Sequence, residues 1–156
     1  MKFFAVTLRA LFLAVLLPGL LPLLPGVARA QEARPFAVEY YYKVRWGHFD
    51  EFLDLYKRNH YPILVKLKEL GRIVEMSAVR PVNHAGEESR WDFRFTIVWK
   101  DAATAYSGFD ESEIIRGLYP DQEAFQREEQ RRFQILEEHL DVPVDEYDLA
   151  SWPAAP

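Results

Sequence analysis

The stretch FAVEYYYKVRWGHFDEFLDLYKRNHYPILVKLKELG, Phe36 to Gly71, changes its hydrophobic period midway, and that change decides the fold. From Phe36 to Arg45, Val38, Tyr40, Tyr42 and Val44 alternate with Glu39, Tyr41, Lys43 and Arg45. Period two with this aromatic enrichment predicts a strand. After Trp46-Gly47-His48 the spacing becomes helical: Phe49, Phe52, Leu53, Tyr56, His60, Ile63, Leu64 and Leu67 share one stripe, and Gly71 is a stop signal. Pro62 sits inside this stretch without a backbone N–H to donate. It is expected to kink or split the helix near His60-Tyr61 and to free backbone carbonyls there.

Downstream, Arg72–Pro81 and Arg90–Lys100 read as strands, joined by a hairpin-type loop, Val82–Ser89. The second of them, RWDFRFTIVWK, places Trp91, Phe93, Phe95, Ile97 and Trp99 on one face. Asp101 is placed to cap a short helix over Ala102–Tyr106 ended by Gly108, and Asp110 with Glu113 forms a second capping pair. Pro120-Asp121 opens a long helix to about Leu140, with Phe125, Phe133, Leu136 and Leu140 inward. Val142, Val144, Tyr147 and Leu149 make a short fourth strand, and Ser151–Pro156 a loose tail.

The order strand, helix, strand, strand, helix, strand implies an α+β fold: one antiparallel sheet covered on one face by helices. The order and size, with RWGHFDEFLDLYKRNHYPILVKLKELG as first helix, resemble the ferredoxin-like β-α-β-β-α-β domains of the dimeric α/β-barrel superfamily. That superfamily includes antibiotic-biosynthesis monooxygenase, EthD-like and NIPSNAP-like domains. The resemblance spans about Phe36–Leu149 and implies the fold and a tendency to form homodimers. No catalytic motif of any member transfers onto these positions. Superfamily dimers bring open sheet faces together, and here that face would carry Glu39, Lys43, Arg45, Glu75, Asp92, Arg94 and Lys100. Buried charges of mixed sign must be paired, so either an ion-paired lumen or a solvated face fits.

The N-terminal thirty residues differ from the rest. Lys2 and Arg9 precede an apolar run from about Ala10 to Val27, and Ala28-Arg29-Ala30 is an A-x-A site, so a signal peptide cleaved after Ala30 is expected. Pro18, Pro22 and Pro25, with Gly19 and Gly26, break the run and argue against a membrane-spanning helix. No cysteine follows, which excludes a lipid anchor. The exported chain, periplasmic or extracellular, would be a single domain over residues 31–150. Cleavage removes three of the 19 basic residues and none of the 24 acidic ones, leaving a net charge of −8. Nucleic acid is a poor partner for that balance. Without cysteine the fold uses no disulfide and thiol chemistry is excluded.

Among groups able to carry chemistry, His60 is the one catalytic candidate. It lies on the apolar stripe one turn after Tyr56, suited to act as a general base or a haem ligand. The plainer reading is a core-edge histidine bonded to a tyrosine or a carbonyl. Tyr40, Tyr42, Trp91, Phe93, Phe95 and Trp99 would face the helices. With Tyr56 and His60, they either line a pocket for a flat or apolar ligand or fill a core. His48 and His84 read as solvated, and His139 as a cation at the end of the long helix. No histidine spacing suggests a metal site, and no cofactor is expected apart from the haem alternative. Glu87-Glu88, Glu128-Glu129 and Glu137-Glu138 look like surface charge, with Glu128–Arg132 an i,i+4 pair. G-x-S-x-G, Walker and G-x-G-x-x-G signatures are absent. Three functions fit: a small-molecule binding domain, a cofactor-independent oxygenase or isomerase (or haem protein) using His60, or an interaction module with a filled core.

Overall fold

The computed structural model describes residues 34–83 and 85–151, so the leader, His84 and the tail beyond Ser151 lie outside the described residues. Strand β1, Phe36–Val44, follows the alternation of its sequence, with Val38, Tyr42 and Val44 buried. The helix that follows is one rod in three parts: α1, Phe49–Leu55; a π-helical turn, Tyr56–His60; and α2, Tyr61–Glu69. Pro62 is the cause of the change of winding. In an unbroken α-helix its amide would serve the Arg58 carbonyl. Here the Tyr119 hydroxyl donates to Arg58 O at 3.1 Å and to Asn59 O at 2.6 Å. The chain therefore stays helical, with one wide turn, where a kink or break was expected. Gly71 ends the rod at φ +70°: its N–H reaches Lys68 O, and Arg72 N–H reaches Leu67 O. This is a Schellman cap, whose left-handed residue favours glycine.

Strands β2, Ile73–Val79, and β3, Phe93–Trp99, are shorter than their sequence suggests. Helix α3, Ala102–Ala105, is capped by Asp101, which accepts from Thr104 N–H at 2.6 Å. Helix α4 covers Ser112–Leu118, and α5 runs from Gln122 to Gln134 behind an Asp121 cap. Strand β4, Leu136–Val144, closes the fold. The sheet order is β2-β3-β1-β4 with every neighbouring pair antiparallel, which is the ferredoxin-like arrangement.

The expected long helix to Leu140 is thus corrected: it ends at Gln134, and after Ile135 the nine residues Leu136–Val144 form β4. Propensity in Leu136–Asp141 is helical, but β1 would otherwise present an unpaired edge. Arg45 N–H bonds Ile135 O at 2.9 Å, and the chain then pairs along β1 from Val44↔Leu136 to Ala37↔Val144. Cross-strand pairing overrides local preference there. Pro143 is tolerated because β4 is an edge strand. Several side chains move as a consequence. Phe133 and Leu140 are exposed, Arg132 of α5 and Ile135 just beyond it are buried, and Tyr147 and Leu149 lie outside any strand. Glu128 also departs from expectation: it holds Arg58 and Asn59 across the fold, while Arg132 pairs with Glu129 at 2.7 Å.

The core lies between the helix-covered sheet face and the α1–α2 rod, centred on Tyr42, Phe52, Tyr56, Leu64, Leu67, Phe93 and Phe95. At one end of the sheet, Arg90 is buried and stacked on Trp46. It donates to Val44 O and to carboxylates of Glu87, Asp92 and Glu137. Two of the acidic doublets therefore serve a buried guanidinium through one member each.

Candidate functional site

Beside this core, between the helical rod and strands β2 and β3, is a cavity of about 380 Å³. Alternation along β3 sends Phe93 and Phe95 to its floor, and Met76 and Ala78 of β2 continue that floor. The roof comes from Leu53, Tyr56, Lys57, Tyr61 and Lys68. Leu53, Lys57 and Tyr61 recur at i, i+4 and i+8, so they form one stripe along the rod. The Tyr61 ring meets Phe95 edge-on at 6.2 Å, and Tyr56 meets Phe93 and Phe95 at 5.3 and 5.6 Å. The walls are mostly apolar, with lysines and tyrosines at the margin. Among the described residues no acidic one lines the cavity. The volume is within the range that takes a small organic molecule.

Of the residues singled out from sequence, Tyr56, Phe93 and Phe95 line this cavity. Tyr40, Tyr42 and His60 do not. They gather on the other side of Tyr56, where His139 of β4 stacks on Tyr42 at 4.4 Å and on Tyr40 at 6.3 Å. His60 packs edge-on against Tyr56 at 5.0 Å. Arg132 lies over Tyr56 and Phe133 and is held by Glu129 through two bonds of 3.0 and 2.7 Å. Trp91 is a correction. It precedes β3, escapes that strand's alternation and contacts Tyr41 (5.6 Å) and Arg94 on the open sheet face. His139 is a second correction: it is a strand residue facing the helices, not a cation at a helix end.

Electrostatics separate the two sides of Tyr56. Burial pushes His60 down to about 3, with Arg132 and His139 adding to the effect. Burial lowers His139 as well. Burial pushes Tyr42 up to about 12 and raises Tyr56 and Tyr40. At neutral pH these histidines and phenols are all uncharged. A general base works best with a pKa near the working pH. His60 is far from that range, and it does not line the cavity, so it is not placed to ligate a group bound there. Among the described residues no cluster of three or more metal-ligating side chains occurs.

Sequence reasoning missed Lys57, Tyr61, Lys68, Met76 and Ala78. The helical signal for Lys57 and Tyr61 was present as the i, i+4, i+8 stripe flanking the main apolar stripe. Nothing in the sequence marked Met76 and Ala78, because β2 carries a weak alternation.

No protein-family model matches the chain, and neither does any curated protein. Solved structures do align with it. An EthD family protein from Bacillus halodurans is 14% identical, covering 73% of this chain and 100% of that one at a TM-score of 0.48. A putative antibiotic biosynthesis monooxygenase from Bacteroides thetaiotaomicron is 9% identical, covering 72% and 90% at 0.45. A NIPSNAP family protein from Agrobacterium tumefaciens is 17% identical, covering 74% and 96% at 0.41. Others are described as dimeric ferredoxin-like proteins.

Proposed function

We propose that the mature chain from Gln31 is an exported binding domain that holds a small apolar or aromatic molecule between the α1–α2 rod and strands β2 and β3. The observation that carries this reading is the cavity itself. Four aromatic rings converge on a space of about 380 Å³ that the core leaves open. A module with a filled core has no use for such a space. Export rests on the basic start, the Pro-interrupted apolar run and the Ala28-Arg29-Ala30 site. The oxygenase, isomerase and haem readings have less support, since they route through His60, which is neutral and stands behind Tyr56.

The test uses N-phenyl-1-naphthylamine, an uncharged aromatic probe whose fluorescence rises in apolar surroundings. The wild type is expected to bind it saturably. Ala78→Phe, or Met76→Trp from the adjacent position, is expected to abolish binding while retaining a cooperative melt. Binding unchanged in both variants would refute the assignment.

A homodimer through the open sheet face belongs to the same reading. Val79, Leu140, Val142 and Val144 are exposed hydrophobics on strands β2 and β4, and their register sets them on that face. Some of its charges are already partnered within the subunit: Glu39 with Arg94 at 3.0 Å, and Lys43 with Glu87 at 3.0 Å. Pre-formed pairs lower the desolvation cost of covering the face. Sedimentation of the wild type and of Val142→Lys distinguishes the cases: a dimer reduced to monomer supports this face, and an unchanged mass removes it.

A further inference from the structure

Resting on the cavity reading, we infer that the bound molecule is an anion: an apolar or aromatic body carrying a carboxylate or sulfonate-type group, held at the cavity margin by Lys57 or by Lys68. Both lysines line the cavity, and among the described residues no acidic one does. Eleven residues separate them along the rod, about 16 Å at the helical rise, so they flank the two ends of the apolar space. Their neighbours on the same rod behave differently. Arg58 is held by Glu128 at 3.0 Å and Lys66 by Glu69 at 2.7 Å. Lys57 and Lys68 stand in no ion pair among the described residues, on a chain where acids outnumber bases 24 to 19.

In so acidic a chain, leaving two cations unpaired at the rim of its aromatic cavity gives that rim a positive character unlike the protein as a whole. An apolar cavity orients its occupant through a few polar groups, and here those groups are cationic. An uncharged ligand would leave both ammonium groups without use. An anionic one places its body on Phe93 and Phe95 and its charge at the rim. An exposed ion pair contributes about two- to fivefold in affinity, and a single anionic group at one end of the space pairs with one of the two lysines.

The experiment compares two probes of the same aromatic skeleton, 1-anilinonaphthalene-8-sulfonate and the uncharged N-phenyl-1-naphthylamine, on the folded mature chain. Four proteins are titrated: wild type, Lys57→Gln/Lys68→Gln, the control Lys66→Gln/Lys100→Gln with the same change in net charge, and Ala78→Phe. The sulfonate is expected to bind the wild type more tightly than the neutral probe. Its affinity should fall about two- to fivefold in Lys57→Gln/Lys68→Gln and be unchanged in the control. The neutral probe should be unchanged in both. Equal loss of sulfonate affinity in the two lysine variants would overturn the inference and leave the cavity reading standing. Failure of both probes to bind, or insensitivity of both to Ala78→Phe, would overturn the cavity reading and the inference with it.

Discussion

Replacing Tyr119 by Phe removes one oxygen atom and tests how this helix survives its proline. The hydroxyl donates to Arg58 O and Asn59 O at 3.1 and 2.6 Å, next to the place where Pro62 has no N–H to offer. A partly buried carbonyl that loses its donor costs about 1–2 kcal/mol. For a domain of this size that corresponds to a drop in Tm of about 4–8 °C, measurable by circular dichroism. The ring keeps its stack on Phe125 at 4.5 Å, so packing loss is small. The companion variant Pro62→Ala restores an amide that can serve Arg58 O. It should therefore be more favourable in the Tyr119→Phe background than in the wild type, by about 0.5–1 kcal/mol of coupling. A Tm for Tyr119→Phe within about 1 °C of wild type, or strictly additive variants, would refute the idea that the tyrosine replaces the missing donor.

His60 makes stability pH-dependent. Its folded value near 3 lies below the ordinary 6.5, so the unfolded chain takes up a proton that the folded chain refuses. Stability from this group is complete above about pH 6.5 and falls toward pH 3, by at most about 1.4 kcal/mol per pH unit. Urea midpoints at pH 7.5 and 5.5 should differ more for wild type than for His60→Gln; parallel shifts would contradict this. Glu51 and Glu87, each held down to about 2 by hydrogen-bonded basic side chains, add loss in the same direction only below about pH 4.5. Arg90→Met should destabilise by about 1–3 kcal/mol, because Val44 O loses its donor and Asp92 its guanidinium while Lys43 still holds Glu87 and Glu137, and Arg90→Lys should recover little of it. Chemical denaturation of both variants checks this.

The fold was legible wherever periodicity was strong and its punctuation local. Phe36–Val44 and Phe93–Trp99 alternate because one sheet face is covered and the other is not. Asp101, Asp121 and Gly71 act within a turn of themselves, so their sequence positions suffice. The α5–β4 boundary was not legible, since Leu136–Asp141 becomes strand only by pairing with β1, about a hundred residues away in the chain. Trp91 misled for a related reason: the alternation was extended two residues past the point where β3 begins. The site was half legible. Tyr56 and Phe93 announce themselves as aromatics on buried stripes. His60 drew attention by its chemistry, yet a helix turn places it behind Tyr56. Lys57 and Lys68 read as ordinary solvated cations until tertiary structure sets both beside the same aromatic space.

Native mass spectrometry of the chain over residues 31–156, purified without refolding, tests the proposed binding most directly. The expected spectrum carries a non-covalent adduct of a few hundred daltons on the wild type, lost in Ala78→Phe. A bare wild-type chain, or the same adduct on both proteins, would contradict it.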